Sequence, residues 1–344
     1  MKKIYGLVLA LVASFSLSAQ DLVALYEKVD PAVVVIYTEG KEALGGGSRL
    51  NQVSAQGLGS GVLIDSEKGL IMTAAHVVQG ADKVQVEFVT GESIPATIVR
   101  SVPHSDVALI KLDWKPFKAV KAVPLGNSEN VKVGEDIFII GAPMGLEHSL
   151  SRGVISGRHY VNRVTGSGKK LEFFQTDASI NQGNSGGPMF NMKGEVIGLV
   201  SYILTQSGGF EGIGFAASSE IASKMLLEEN HFWTGLESVY VTDEIAAALN
   251  VPQPGGLLVQ KVVKVSPTGR MGLQGGTFKA YIEGEEVLIG GDIILSVNGV
   301  PFTTEENLEK ANDILVNLPP GGEFTLSVLR AGKIMDVKGN VPTN

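Results

Sequence analysis

The chain has 344 residues, a net charge of −8 at neutral pH, 44% apolar residues and 19% charged ones. That is enough material for two domains, with the composition of a globular protein rather than a disordered one. The acidic balance, with no Lys/Arg run beyond pairs such as Lys169 and Lys170, argues against nucleic acid as a partner, and the absence of cysteine excludes thiol catalysis, cysteine-based metal sites and disulfides.

The N-terminus, "MKKIYGLVLALVASFSLSAQD", sets two lysines before an apolar run from Ile4 to Leu17 and small residues at Ser18 and Ala19. This layout predicts a secretory signal over residues 1–19, cut near Ala19, with an uncleaved membrane anchor as the alternative.

From Pro31 to about Phe215, short β-branched runs follow one another between glycines: "AVVVIYT", "GSGVLID", "LIMTAAHVV", "KVQVEFV", "DVALIKL", "EDIFIIGAP" and "EVIGLVSYI". Helix-length periods are missing between them, so the body is expected to be mainly β, an antiparallel barrel or sandwich. The glycine-rich stretch from Glu39 to Gly59 is expected to be a surface loop without regular structure.

Around "SSEIASKMLLEENHFW" the period turns helical after a Ser/Glu start. That segment divides a first domain, 20–226, from a second, 231–338. The second carries strand-like runs and one amphipathic helix, "TEENLEKANDILVNL", which read as a small α/β unit. No internal sequence repeat is evident.

Within "DASINQGNSGGPMF", Ser185 stands among turn residues, and such clusters by themselves need only reverse a chain. A serine nucleophile needs a base, and the base an orienting carboxylate. Of the five histidines, His76 alone ends an apolar strand run, in "LIMTAAHVV". Asp106 directly precedes the apolar run "VALIKL", where it could accept from an imidazole, whereas Asp113 and Asp136 suit turns better. The order His, Asp, Ser is that of chymotrypsin-type enzymes. "GNSGG" also satisfies the G-x-S-x-G elbow of α/β-hydrolases, but that elbow needs a helix after the serine and a histidine last in the chain; here Gly-Gly-Pro follows, and only His231 lies downstream.

Together "TAAHVV", "SDVALIKL", "FIIGAPMGL", "RGVISG" and "QTDASINQGNSGGPMFNMKGEVIGL" resemble the HtrA/Deg family of serine proteases, over nearly all of the chain after the leader. The resemblance implies a chymotrypsin-like double β-barrel over 20–226, with His76 as general base, Asp106 as its orienter and Ser185 as nucleophile. Backbone N–H groups of Gly183 and Ser185 would form the oxyanion hole. Ile180, Ile203 and Ile213 match the family's P1 pocket, which would suit small aliphatic residues; Ser179, where a trypsin-like enzyme carries an acid, disfavours a basic one. The alternative is that the three isoleucines are simply buried strand residues.

The C-terminal unit resembles a single PDZ domain, with Trp233, Thr234, Gly235 and Leu236 at the carboxylate-binding loop and an added hairpin within "QGGTFKAYIEGEEVLIGGD". The resemblance further implies an ATP-independent periplasmic endopeptidase for misfolded proteins, with membrane anchoring or secretion as alternative locations, acting as a homotrimer or a higher oligomer and capturing peptide C-termini; no cofactor is expected, and the sequence shows no clustered His and carboxylate ligands for a metal. A mostly latent protease serving as a chaperone or stress sensor is the alternative.

Overall fold

The computed structural model describes residues 22–44, 51–114, 120–146, 148–164, 170–204, 209–229, 231–282 and 285–343. The leader expected over residues 1–19 lies outside the described residues.

Strands β1 (Val33–Leu44), β2 (Asn51–Asp65), β3 (Leu70–Thr73), β4 (Ala81–Phe88), β5 (Ser93–Val102) and β6 (Val107–Leu112) close a barrel in the order β1-β2-β3-β6-β5-β4. A second barrel follows from β7 (Asp136–Gly141), β8 (Ser149–Val164), β9 (Lys170–Thr176), β10 (Pro188–Asn191), β11 (Val196–Ile203) and β12 (Gly214–Ser218). Read from β7, its order is β7-β8-β9-β12-β11-β10, the same path as in the first. The chymotrypsin-like double barrel expected from the sequence is therefore present. Its two halves repeat one topology although their residues show no repeat.

Alternation drives closure. In β4, Ala81, Val84, Val86 and Phe88 are buried, and the residues between them turn outward. One apolar cluster runs from Ile36, Leu63 and Met72 of the first barrel to Phe138, Ile140, Phe190 and Leu199 of the second. Each such side chain contributes about 1.5–3 kcal/mol on burial. Parting the barrels would expose several at once, so the cleft between them has firm walls.

The stretch from Glu39 to Gly59 differs from expectation. β1 and β2 continue as a ladder through Glu39↔Gln56 and on to Leu44↔Asn51, paired strands rather than an irregular loop, while residues 45–50 of the stretch lie outside the described residues. Ladder pairing uses N–H and C=O groups that every residue type here carries, so polar and glycine-rich composition did not prevent it.

The helix Ser219–Ser223, capped by Ser218, passes into a π-helical turn over Lys224–Glu228. Arg100 donates to Leu226 O at 2.6 Å and ties that turn to the first barrel. Beyond it come β13 (Leu236–Thr242), β14 (Gly255–Val262), β15 (Phe278–Ile282), β16 (Glu285–Ile289), β17 (Ile293–Val297), β18 (Val300–Pro301), β19 (Glu323–Arg330) and β20 (Lys333–Asn340). They form a sheet ordered β13-β14-β17-β19-β20, with β18 beside β17, and β15 pairs with β16 as the added hairpin. The amphipathic helix is Glu305–Asn317, its first turn capped by Thr304.

Candidate active site

β3 ends at Thr73, and after Ala74 the chain enters the one-turn helix Ala75–Val78, which carries His76; both alanines are fully buried. The first N–H groups of a helix lack intrahelical acceptors. Here the His76 N–H finds Asp106 Oδ1 at 3.1 Å, and His76 Nδ1 lies 2.9 Å from both Asp106 oxygens. A carboxylate only accepts, so Nδ1 carries a proton, and in the neutral ring this leaves Nε2 as the acceptor.

Asp106 is held in the left-handed region, φ 52°, after the short helical turn Pro103–Ser105. Among side-chain-bearing residues Asp and Asn tolerate that conformation best. Ser201, 3% exposed on β11, donates its hydroxyl to Asp106 Oδ2. Sequence reasoning missed Ser201; its only signal is a hydroxyl inside the apolar run "EVIGLVSYI". Burial, together with the Asp106 charge, pushes the neighbouring Tyr202 phenol up.

Ser185 sits on the connection between β9 and β10, and its neighbour Gly186 brings it onto the first barrel. Gly186 has φ 79°, and a Cβ there would lie 2.1 Å from Thr73 Oγ1 and 2.6 Å from Ala74 N, just before His76. Gly183, at φ 103°, makes the turn that a side chain would oppose. Within this loop the N–H groups of Asn184, Gly186 and Gly187 donate to Asn181, Val200 and Asn184. Among the described residues those of Gly183 and Ser185 have no protein acceptor. Two backbone donors left open beside a hydroxyl can bind an oxygen that gains negative charge. Among the described residues no hydrogen bond joins His76 to Ser185; catalytic contacts of this kind commonly tighten with substrate.

The other histidines, and the two aspartates set aside in the sequence, are engaged elsewhere. His148 pairs with Asp30 at 2.7 Å, His159 with Gln175 and His231 with Glu229, while His104 meets the His231 ring edge-on. Asp113 accepts from Thr97, and Asp136 pairs with Arg152.

Two of the three isoleucines, Ile180 and Ile203, meet at Gly214. That residue pairs with Ile203, follows Ile213, and a Cβ on it would lie 2.5 Å from Ile180 Cδ1. Ile180 is buried at 3% exposed, and half-buried Ile203 packs on the same cluster with Phe210, whereas Ile213 packs against the larger cluster shared by the barrels.

Residues Trp233 to Leu236 form the turn into β13. Thr268 donates to Thr234 O at 2.7 Å, Val263 N–H donates to Gly235 O at 2.9 Å, and Ser266 packs so close that Gly235, at φ 69°, has no room for a Cβ. The hollow they border is also lined by Leu315 and Val316 of the long helix and by Pro103 and His104 of the first barrel.

Residues 59–199 match the trypsin-like peptidase domain, the class of protein that a double barrel with this His–Asp pair and serine loop defines. Within that class the chain belongs to the HtrA/Deg family. It is 33% identical, over 96% of its own length and 73% of the relative's, to a probable periplasmic serine endoprotease DegP-like from Halomonas elongata. A protein of the same description from Pseudomonas putida is 37% identical over 82% of this chain and 55% of its own, so the chain spans about half the length of such relatives. A solved structure of a variant of the HtrA-type protease AlgW with decapeptide is 27% identical, covers 94% of this chain and 97% of its own, and superposes with a TM-score of 0.54. No described helix is long and apolar enough to cross a membrane.

Proposed function

We propose that the chain is an ATP-independent serine endopeptidase of the periplasm that degrades misfolded or damaged proteins. The observation that carries this reading is the His76–Asp106 pair, with Nδ1 2.9 Å from both carboxylate oxygens, set beside a serine loop whose Gly183 and Ser185 N–H groups are open.

Ser185 Oγ attacks the scissile carbonyl while His76 Nε2 takes its proton. Asp106, itself held by Ser201, keeps the imidazole in the right tautomer and steadies it when charged. Gly183 and Ser185 N–H groups stabilise the oxyanion of the tetrahedral intermediate. His76 then gives the proton to the leaving amine, and water, activated by the same Nε2, releases the acyl group from Ser185.

Ile180 and Ile203, meeting at Gly214, favour Val, Ala or Ile at P1. The unit from 231 to 338 acts as a PDZ domain. β13 is an edge strand of its sheet, so its outer ladder can take up a peptide strand, with the C-terminal carboxylate directed to Trp233–Leu236. Cleavage of the leader near Ala19, read from the layout of the N-terminus, and assembly into a homotrimer, implied by the family resemblance, belong to the same proposal.

The test is digestion of an unfolded protein such as casein by the purified chain and by Ser185→Ala, with cut sites mapped by mass spectrometry. Cuts after Val, Ala or Ile that vanish in the variant are expected. Cuts that persist in Ser185→Ala, or no cleavage by either protein with C-terminal peptides added, overturn the reading.

A further inference from the structure

We infer that Ser60, on the first barrel, is a positioning residue that holds the oxyanion-binding turn of the second barrel in its working shape. This rests on the peptidase reading above.

Ser60 is fully buried near the middle of β2. Its backbone N–H donates to Ser185 O at 2.8 Å, and its hydroxyl donates to Gly183 O at 2.7 Å. One residue of the opposite barrel thus grips the carbonyls at both ends of the turn whose two N–H groups are left open. The hydroxyl also accepts from Ala142 N–H at 3.0 Å, just past β7, so its donor and an acceptor site are both in use.

Gly183 explains why such a grip is needed. A glycine at φ 103° has no side chain to confine it and samples both signs of φ about equally, so the turn does not hold its own shape. An oxyanion site works only if its donors are already aimed, because reorganisation during the reaction forfeits the stabilisation. Fixing the Gly183 carbonyl restrains the residue that supplies one of those donors.

Ser60 also aligns the two halves of the site. Its carbonyl accepts from Thr73 Oγ1 at 2.7 Å, and Thr73 lies three residues before His76. The strand that delivers the base and the turn that delivers the nucleophile are therefore tied to one serine. Its surroundings admit little else: a Cβ on Gly141 would lie 3.1 Å from Ser60 Oγ, and one on Gly187 3.3 Å from Ser60 Cβ.

The experiment compares Ser60→Ala and Ser60→Cys with the unaltered chain on a peptide that the latter cleaves, together with inhibition by a peptidyl boronic acid, whose adduct places an oxygen at the oxyanion site. In Ser60→Ala, kcat should fall by about 10- to 100-fold, a fraction of the loss on deleting a whole oxyanion donor, with KM within about twofold. Boronate affinity should fall by the same factor as kcat/KM. Ser60→Cys, with a weaker donor of similar size, should fall between, and it decides the matter if Ser60→Ala does not fold. An unchanged kcat, or a loss confined to KM, overturns the inference. If the unaltered chain cleaves nothing, the peptidase reading fails, and crystal structures of the variants decide this one separately: a Gly183 carbonyl that keeps its orientation overturns it, and one that turns away supports it.

Discussion

The two barrels repeat one strand path and use the same connection differently. The link between third and fourth strands carries His76 in the first barrel and Ser185 in the second. In the first it is a one-turn helix whose histidine is bonded through both backbone and ring to Asp106. In the second it is a glycine turn with two N–H groups free of protein acceptors. In the mechanism proposed above, one scaffold position thus supplies a proton carrier that must stay in place, and also a cradle that must stay open until an oxygen forms. The link between fifth and sixth strands diverges likewise, giving Asp106 in one barrel and the segment of Phe210 and Ile213 in the other.

The largest effect should come from removing the group in the cradle. Ser185→Ala should lower kcat by about 10⁶-fold, the scale seen when a serine-triad nucleophile is deleted, with the fold intact. Asp106→Asn tests the locked half. An amide can present its N–H to Nδ1 and stabilise the wrong tautomer, so kcat should fall about 10⁴-fold at neutral pH. If Asp106→Asn left kcat within tenfold of the parent, the first barrel would not be the rigid partner described above.

Gly186→Ala probes where the barrels meet. A Cβ 2.1 Å from Thr73 Oγ1 and 2.4 Å from Ser60 O, on a residue at φ 79°, cannot be relieved by a side chain swinging away. A stability loss on the order of 4 kcal/mol is expected, placing the substitution among the severe strain cases, and denaturant titration reads it. Ser201→Ala should act more gently. It removes a neutral donor from an ionised acceptor, a bond worth about 1.5–3 kcal/mol, so kcat should fall roughly tenfold or somewhat more while KM holds.

Parts of this comparison were legible in the sequence and parts were not. His76, Asp106 and Ser185 were legible as candidates, because His76 and Asp106 stand at the edges of apolar runs and Ser185 stands among glycines that shape a turn. Ser201 and Ser60 were not, since a hydroxyl in a strand reads as ordinary until the carboxylate or carbonyl it faces is located across the barrel. The repeated strand path was hidden because topology depends on where runs of apolar residues fall, and either barrel can fill the same path with different side chains. The ladder built by β1 and β2 was misread because it needs backbone groups alone, which composition does not report. Ile213 shows the limit of matching by position: it adjoins Gly214, yet it packs against the cluster shared by the barrels rather than with Ile180.

The smallest effect is expected at that ladder, where Lys83 meets Glu39 at 2.8 Å with side chains 70% and 50% exposed. An ion pair so open to solvent gains little over hydration and is screened by salt. Glu39→Gln should therefore leave the Tm at neutral pH unchanged within error. The hydrogen bond and charge of Glu39 do hold the Lys83 ammonium above its ordinary value of 10.5. A group whose pKa is raised in the folded state contributes fully below its unfolded value and loses that contribution as pH climbs past it. The two proteins should then have matching Tm values from neutral pH up to about 10, and any advantage of the parent should shrink above that. A gap that appeared only at acid pH, or grew with pH, would place the ladder's support in some contact other than this pair.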